Sequence, residues 1–229
     1  MKPIISHCGH SVILLLAALA LGNCGEPAPT PTRPTPELTP APEVDRLRIA
    51  VLGDSLAAGL GLPEDEAFPA VVERMLREAG HEVEVLNAGV SGDTSAGGLS
   101  RIDWVLKTRP EVLVVELGGN DALRGQPLDN TNRNLRAIIA RGRESGARVV
   151  LLGMDVPTNY GPDYAGAFAE MYKTIARDEE IVLVPGFVRE LATDPALMQP
   201  DGLHPTAEGQ RLLAERLLPY LDELVRDIE

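Results

Sequence analysis

The chain has 229 residues, of which 44% are apolar and 24% are charged, a profile typical of a globular protein with one or two domains. Its formal net charge is −13, and no run of lysine and arginine interrupts this acidic balance. Nucleic-acid backbones are bound by clustered cations, and single strands stack on aromatic side chains, which make up only 3% of this chain. The composition therefore argues against nucleic acid as a partner.

The N-terminal segment predicts export from the cytoplasm. Residues 12–21, VILLLAALAL, form an apolar run that is too short to cross a bilayer, which takes about 20 residues, but fits the core of a signal peptide. The run leads to LGNC at 21–24, which resembles the lipobox of bacterial lipoproteins, although Asn23 departs from the small residue usual at that position. We expect residues 1–23 to be removed and Cys24 to carry lipid. Ordinary secretion is the alternative.

A proline-rich linker follows Cys24, which is the only cysteine left once the signal peptide with Cys8 is removed. Seven prolines lie between Glu26 and Val44, a composition that cannot pack a core and favours extended polyproline II. At about 3.1 Å per residue the segment would reach roughly 60 Å. Residues 24–45 therefore predict a lipid anchor and spacer. We therefore expect the protein to be lipid-anchored in the bacterial cell envelope, in the periplasm or at the outer membrane, or else to be secreted.

Residues 46–229 have the pattern of one α/β domain. Apolar runs predict strands at 47–52, 82–86, 112–117, 148–154 and 181–184. Helical periodicity predicts helices at 67–79, 99–107, 130–144, 165–178 and 206–225. Strands that alternate with helices form a parallel sheet with helices on both faces. We therefore predict a five-stranded parallel sheet.

Small polar residues gather directly after the predicted strands. In open α/β sheets, sites form at the carboxyl ends of the strands, so these clusters should lie together. The clusters are Gly53-Asp54-Ser55, residues 87–93, residues 118–121 and residues 155–161, and a further one at 201–205 precedes the last helix.

Ser55 is a candidate nucleophile, although a serine there could simply cap the next helix. A serine hydroxyl needs a base to attack a carbonyl. Of the histidines after the signal peptide, His81 lies in a helix-to-strand connection at the opposite edge of the sheet, where we expect it to be solvated. His204 lies on the side of the strand ends, and Asp201, three residues earlier, could orient its imidazole. DGLHP at 201–205 could instead be only a turn and a helix cap.

Acyl transfer also needs hydrogen-bond donors for the oxyanion. The backbone N–H groups of Ser55 and Gly92 and the side-chain amide of Asn120 are candidates, all of them near strand ends. A buried asparagine could instead just tie loops together.

Four motifs resemble the blocks of the SGNH/GDSL hydrolase superfamily, in the family's order: GDSL at 53–56, SGD at 91–93, GGND at 118–121 and DGLHP at 201–205. The stretches NAGVSGDTSAGGL and ELGGNDALRG resemble its bacterial arylesterase group, which includes thioesterase I/lysophospholipase L1. The resemblance implies a flavodoxin-like three-layer α/β/α sandwich. It also implies Ser55 as nucleophile, His204 as general base with Asp201 as its partner, and an oxyanion hole of Ser55, Gly92 and Asn120.

Asp54 and Asp121 are expected to support the site by capping N–H groups and pinning loops. Close members of the family often have glycine after the GGND aspartate, where this chain has Ala122, which leaves the preferred acyl-chain length open.

These features predict a serine esterase for carboxylic esters or thioesters, including aryl esters, short-to-medium acyl esters and lysophospholipids. The expected partner is an ester substrate with an acyl chain, and no metal or organic cofactor is required. The alternatives are a polysaccharide O-deacetylase of the same fold and a non-catalytic lipoprotein that binds ligands in the same cleft.

Overall fold

A computed structural model describes residues 46–156 and 161–229. The predicted signal peptide, the lipidated Cys24 and the linker to residue 45 lie outside the described residues, and so do residues 157–160 of one strand-end cluster. Those expectations stay predictions. None of the helices in the described ranges combines the length and the apolar character that crossing a bilayer requires.

The centre of the domain is a parallel sheet of five strands, as the sequence predicts. Its strand order is β2-β1-β3-β4-β5, the order of flavodoxin-like folds. The middle strands are buried on both faces, and every residue of Val112–Glu116 is inaccessible to solvent. The strands are β1 (Leu47–Gly53), β2 (Val83–Gly89), β3 (Val112–Glu116), β4 (Arg148–Leu152) and β5 (Val182–Val184).

Helices cover both faces of this sheet, which confirms the three-layer α/β/α architecture. Because crossovers between parallel strands are right-handed, the long helix between β1 and β2 lies on one face of the sheet. The long helices that connect β2 to β3, β3 to β4 and β4 to β5 lie on the other face. The first packs against the C-terminal helix, and the others pack side by side. The helices in the described residues are α1 (Ser55–Ala58), α2 (Phe68–Glu78), α3 (Ser95–Leu106), α4 (Gly119–Leu123), α5 (Leu128–Glu144), α6 (Pro162–Glu179) and α7 (Ala207–Arg226).

The main differences from the predicted elements lie at the strand ends. Helix α3 begins at Ser95, four residues earlier than predicted, because Thr94 caps it by accepting a hydrogen bond from the N–H of Gly97. The sequence does not indicate this start, because Gly97 and Gly98 in the first turn have a low helix propensity. The short helices α1 and α4 were not predicted, since four or five residues carry no usable periodicity.

The expectation that His81 is solvated is wrong. The residue does lie at the amino edge of the sheet, just before β2, but only 7% of its surface is exposed. Its Nε2 lies 2.8 Å from Oδ1 of Asp222, and its Nδ1 lies 3.1 Å from Oε2 of Glu229. These carboxylates come from the C-terminal end of the chain, 141 and 148 residues away, so the local sequence gives no sign of them.

The contact with Asp222, followed by that with Glu229, raises the pKa of His81 above its ordinary value despite the opposing effect of burial. A raised folded-state pKa stabilises the fold at pH values below the unfolded pKa of about 6.5, and this stabilisation is lost as the pH rises through the folded value. We therefore predict that His81→Asn lowers the free energy of unfolding in urea more at about pH 6 than at about pH 9.

The matched control is Glu82→Gln, which removes the neighbouring but exposed ion pair with Arg46. Exposed pairs contribute little, so this variant should show no such pH dependence. A loss for His81→Asn that is constant, or that grows with pH, would contradict the proposed charge on the imidazole.

Candidate active site

The site lies at the carboxyl ends of β1 and β3, where the connections to the next strands run in opposite directions. Strands β1 and β3 are adjacent in the sheet, but the chain continues from β1 to β2 on one side and from β3 to β4 on the other. Such a switch point leaves a crevice at the carboxyl ends of the strands. Ser55 follows β1 after one residue, Asp54, and Asn120 follows β3 after one leucine and two glycines.

Ser55, His204 and Asp201 form a hydrogen-bonded chain across this crevice. Oγ of Ser55 lies 3.0 Å from Nε2 of His204, and Nδ1 of His204 lies 2.7 Å from Oδ2 of Asp201. Because Nδ1 faces a carboxylate, that nitrogen carries the proton, and Nε2 is left to accept from the serine hydroxyl. The arrangement has the geometry of a nucleophile, a base and a group that orients the base.

The side chain of Asp201 is half exposed, and its carboxylate is ionised. Its Oδ1 accepts hydrogen bonds from the N–H groups of Leu203, at 2.9 Å, and His204, at 3.0 Å. The backbone N–H and the imidazole of His204, followed by the N–H of Leu203, hold the pKa of Asp201 well below its usual range. The tight turn thus fixes a permanent negative charge beside Nδ1.

Gln199 ties the loop that carries His204 to the rest of the site. Its N–H donates to the carbonyl of His204 at 2.7 Å. Its side-chain amide donates to the carbonyl of Leu60 at 2.7 Å and to that of Pro205 at 2.8 Å. These hydrogen bonds connect the loop with His204 to the segment that follows Ser55. They therefore fix the position of His204 relative to Ser55.

Three donors face the same crevice. Neither the N–H of Ser55 nor that of Gly92 has a hydrogen-bond acceptor among the described residues. Gly92 has a φ of 83°, a conformation that favours glycine. The side-chain amide of Asn120 donates one hydrogen to Oδ2 of Asp54 at 2.9 Å, which leaves its second hydrogen available.

Asp54 and Asp121 are buried and anchor the loops around Ser55. Oδ1 of Asp54 caps α1 by accepting from the N–H of Leu56 at 3.0 Å. Burial, more than any other cause, raises the pKa of Asp54 to about 6. Asp121 accepts from the N–H and the hydroxyl of Ser95, at 2.7 and 2.5 Å, and from the hydroxyl of Thr131 at 3.1 Å. It therefore joins α4 to α3 and α5.

A cavity of about 940 Å³ opens beside Ser55 and His204. One side of it is apolar and comes from the loops after β3, β4 and β5. Its volume lies at the upper end of the range for small-molecule sites. The apolar residues of this side are Leu123, Met154, Val156, Val188, Leu191, Pro195 and Met198.

Residues 51–212 match the model of the GDSL-like lipase/acylhydrolase family, a span that includes every residue of the site described above. The chain belongs to this family. As a member of it, the protein is a carboxylic ester hydrolase.

Curated relatives cover most of this chain. Esterase TesA of Pseudomonas aeruginosa is 40% identical over 178 residues, which are 77% of this chain and 89% of the relative. Thioesterase 1/protease 1/lysophospholipase L1 of Escherichia coli strain K12 is 36% identical over 178 residues, 77% of this chain and 84% of the relative. A crystal structure of TesA superposes with a TM-score of 0.75, at 40% identity, over 77% of this chain and 99% of that one.

Arg101 belongs to the structure of this esterase site, although the motifs do not include it. From α3 it donates to Oδ2 of Asp93 at 2.6 Å, to the carbonyl of Ala88 at 2.6 Å and to the carbonyl of Gly53 at 2.9 Å. It therefore binds the ends of β1 and β2 to the SGD motif. The sequence signal is weak, because one arginine on a helix resembles any surface cation.

We predict that Arg101→Met lowers the free energy of unfolding by about 3 kcal/mol, since it leaves the carboxylate of Asp93 and two carbonyls without their partner. It should also lower esterase kcat, because the loop with Gly92 loses its anchor. Urea unfolding and ester turnover measure the two effects.

Arg141→Met is the matched control, because the ion pair of Arg141 with Asp103 is exposed. It should cost less than about 1 kcal/mol and leave turnover unchanged. Equal losses for the two arginine variants would show that Arg101 is not a structural anchor.

Proposed function

We propose that the protein hydrolyses esters in two steps through an acyl group on Ser55. The observation that carries this proposal is the 3.0 Å contact between Oγ of Ser55 and Nε2 of His204. In the first step His204 takes the hydroxyl proton while the oxygen attacks the ester carbonyl. The protonated imidazole then gives that proton to the leaving alcohol or thiol, and Asp201 stabilises the imidazolium.

The oxyanion of the tetrahedral intermediate is held by the N–H groups of Ser55 and Gly92 and by the free hydrogen of the Asn120 amide. Donors that are already in place when charge develops lower the barrier without reorganisation, and loss of one typically costs 100- to 1,000-fold in kcat, or about 3 kcal/mol. Water, activated by the same histidine, then attacks the acyl group and frees Ser55. Every proton removed in one step is returned in the next.

We predict that Ser55→Ala lowers p-nitrophenyl ester turnover by on the order of 10⁴-fold or more while the protein stays folded. The reason is that, within residues 46–156 and 161–229, only the hydroxyl of Ser55 hydrogen-bonds Nε2 of His204. Ser100→Ala is the matched control, because this hydroxyl bonds only a carbonyl of its own helix. Turnover by Ser55→Ala close to that of the wild type would reject the serine mechanism.

Apolar side chains around the cavity favour a substrate with an acyl chain. Large apolar residues that stay 44–48% exposed lie within five residues of Ser55, Asn120 or His204. Exposure of such side chains to water is unfavourable, and contact with a hydrocarbon chain removes that cost. Together with the apolar cavity they support medium-chain acyl esters and lysophospholipids as substrates. The residues are Leu60, Leu123 and Leu203, and all three line the cavity.

The same lining disfavours the two alternative functions. A polysaccharide deacetylase needs polar side chains that bind sugar hydroxyls, whereas the lining of this cavity is mostly apolar. A non-catalytic binding protein does not require a hydrogen-bonded chain of serine, imidazole and carboxylate. Here the serine–imidazole distance is 3.0 Å and the imidazole–carboxylate distance is 2.7 Å. Acyl esters are therefore the substrate class that we propose.

We predict that Val188→Trp lowers turnover of an octanoyl ester about tenfold and leaves an acetyl ester nearly unchanged, because the indole fills the apolar side of the cavity. Val90→Trp is the matched control, since Val90 is exposed and does not line the cavity. A chain-length series of p-nitrophenyl esters gives the measurement. Equal losses on both esters would place the acyl chain elsewhere.

A further inference from the structure

Glu116 is a buried carboxyl group that the mechanism above does not use. It ends β3, where the four preceding residues are apolar, and none of its surface is exposed. In the sheet register it lies beside Gly53, the residue that ends β1. An acidic residue at such a position is rare, because burial of a carboxylate without a partner is costly.

The side chain of Glu116 lies directly against the turn that carries the nucleophile. Its Oε2 accepts a hydrogen bond from the backbone N–H of Asp54 at 3.0 Å. A Cβ atom on Gly53 would lie 2.6 Å from the same oxygen, closer than real Cβ atoms come. The Cβ of Ala57 would be closer still, at 2.5 Å, so the glycine of the GDSL motif leaves room both for α1 and for this carboxyl group.

No cation compensates Glu116 within the described residues. Arg101 directs its donors at the carbonyls of Gly53 and Ala88 and at Asp93. The second oxygen of Glu116, Oε1, is buried and accepts no hydrogen bond from the described residues. Burial, and then the negative charge of Asp54, raise the pKa of Glu116 well above its usual range. The neutral acid is thus the form that this environment accommodates.

Asp54 is the member of the pair that carries the charge. Its carboxylate accepts from the N–H of Leu56 and from the amide of Asn120, and the imidazole of His204 adds a favourable interaction. Asp93 opposes that charge from a greater distance. Two adjacent carboxyl groups cannot both ionise cheaply, so the one with donors ionises and the other keeps its proton.

The remaining titratable neighbour is the hydroxyl of Tyr172 on α6. It donates to the carbonyl of Leu117 at 2.8 Å, one residue after Glu116. Burial, followed by the charges of Asp121 and Glu116, raises the pKa of Tyr172 well above its usual value, so this group stays neutral. It supplies no positive charge to Glu116.

We propose that Glu116 is a positioning residue for ester hydrolysis. As a neutral carboxylic acid it holds the backbone of Asp54. The carboxylate of Asp54 in turn orients the Asn120 amide, and Ser55 stays aligned. The inference rests on the proposed roles of Ser55 and Asn120. Glu116 does not line the cavity, and it acts through the backbone of the turn, which it contacts at Asp54 and also at Ala57. A shift of about 1 Å in a catalytic group costs on the order of 100-fold in rate, so even a small displacement of this turn is measurable.

The experiment compares Glu116→Gln with Glu116→Leu. Glutamine keeps an oxygen for the Asp54 N–H and is uncharged, so kcat should stay within about threefold of the wild type. Leucine keeps the bulk but removes the acceptor, so kcat should fall about 100-fold with little change in KM. Urea unfolding and circular dichroism show whether each variant is folded.

A spectroscopic measurement tests the proton directly and does not depend on the leucine variant. At about pH 8 ordinary carboxyl groups are ionised, so the infrared band of a neutral carboxylic acid in the wild type should belong to Glu116 and disappear in Glu116→Gln. Glu111→Gln is the matched control. Glu111 lies just before the first residue of β3, at the edge of the sheet away from the site. Like Glu116 it accepts a hydrogen bond from a backbone N–H, that of Arg48 at 2.7 Å. It should keep both the band and the wild-type kcat.

The inference is overturned if the wild type lacks this band, or if Glu116→Gln loses as much kcat as a folded Glu116→Leu. Failure of the proposed function is a separate result, because it is read from Ser55→Ala. If Ser55→Ala is inactive while both Glu116 variants turn over ester like the wild type, the serine mechanism stands and only the role of Glu116 is rejected.

Discussion

One hydrogen bond organises this protein, the 3.0 Å contact between Ser55 and His204 across 149 residues of sequence. It forms only because the first strand and the loop before the last helix both end at the carboxyl edge of one parallel sheet. The switch point between β1 and β3 provides the crevice, and the apolar core on both faces of the sheet keeps the strand ends in place. The esterase chemistry depends on this constraint.

Buried polar groups transmit the rigidity of the sheet to the catalytic loops. Asp121 joins α4 to α3 and α5, Arg101 binds the ends of β1 and β2, and Glu116 holds the turn before Ser55. Each of these groups costs desolvation energy, and each is placed where an apolar residue could not bind the backbone. The stability lost at these positions is offset by the large apolar core elsewhere, and the result is a set of donors and acceptors fixed before substrate arrives.

The substrate side of the site follows a different rule from the catalytic side. Ser55 and His204, the proposed nucleophile and base, are held by short, specific hydrogen bonds, whereas the proposed acyl cavity is lined mostly by apolar side chains, whose contacts are less directional. Apolar contacts discriminate weakly between chains that differ by one methylene group. We propose that this combination makes the esterase strict in its chemistry but tolerant of different acyl chains.

The sequence by itself determined the five parallel strands, the covering helices and the identity of Ser55, Asp201 and His204 as candidates, because periodicity, strand-end clusters and short motifs are local. It did not reveal the burial of His81, the anchor at Arg101 or the carboxyl group under Asp54. Those depend on partners 8 to 148 residues away, such as Glu229 for His81 and Gly53 for Arg101. Only the packed tertiary structure decides whether a charged side chain meets water or a buried partner, since solvation is a property of the whole fold.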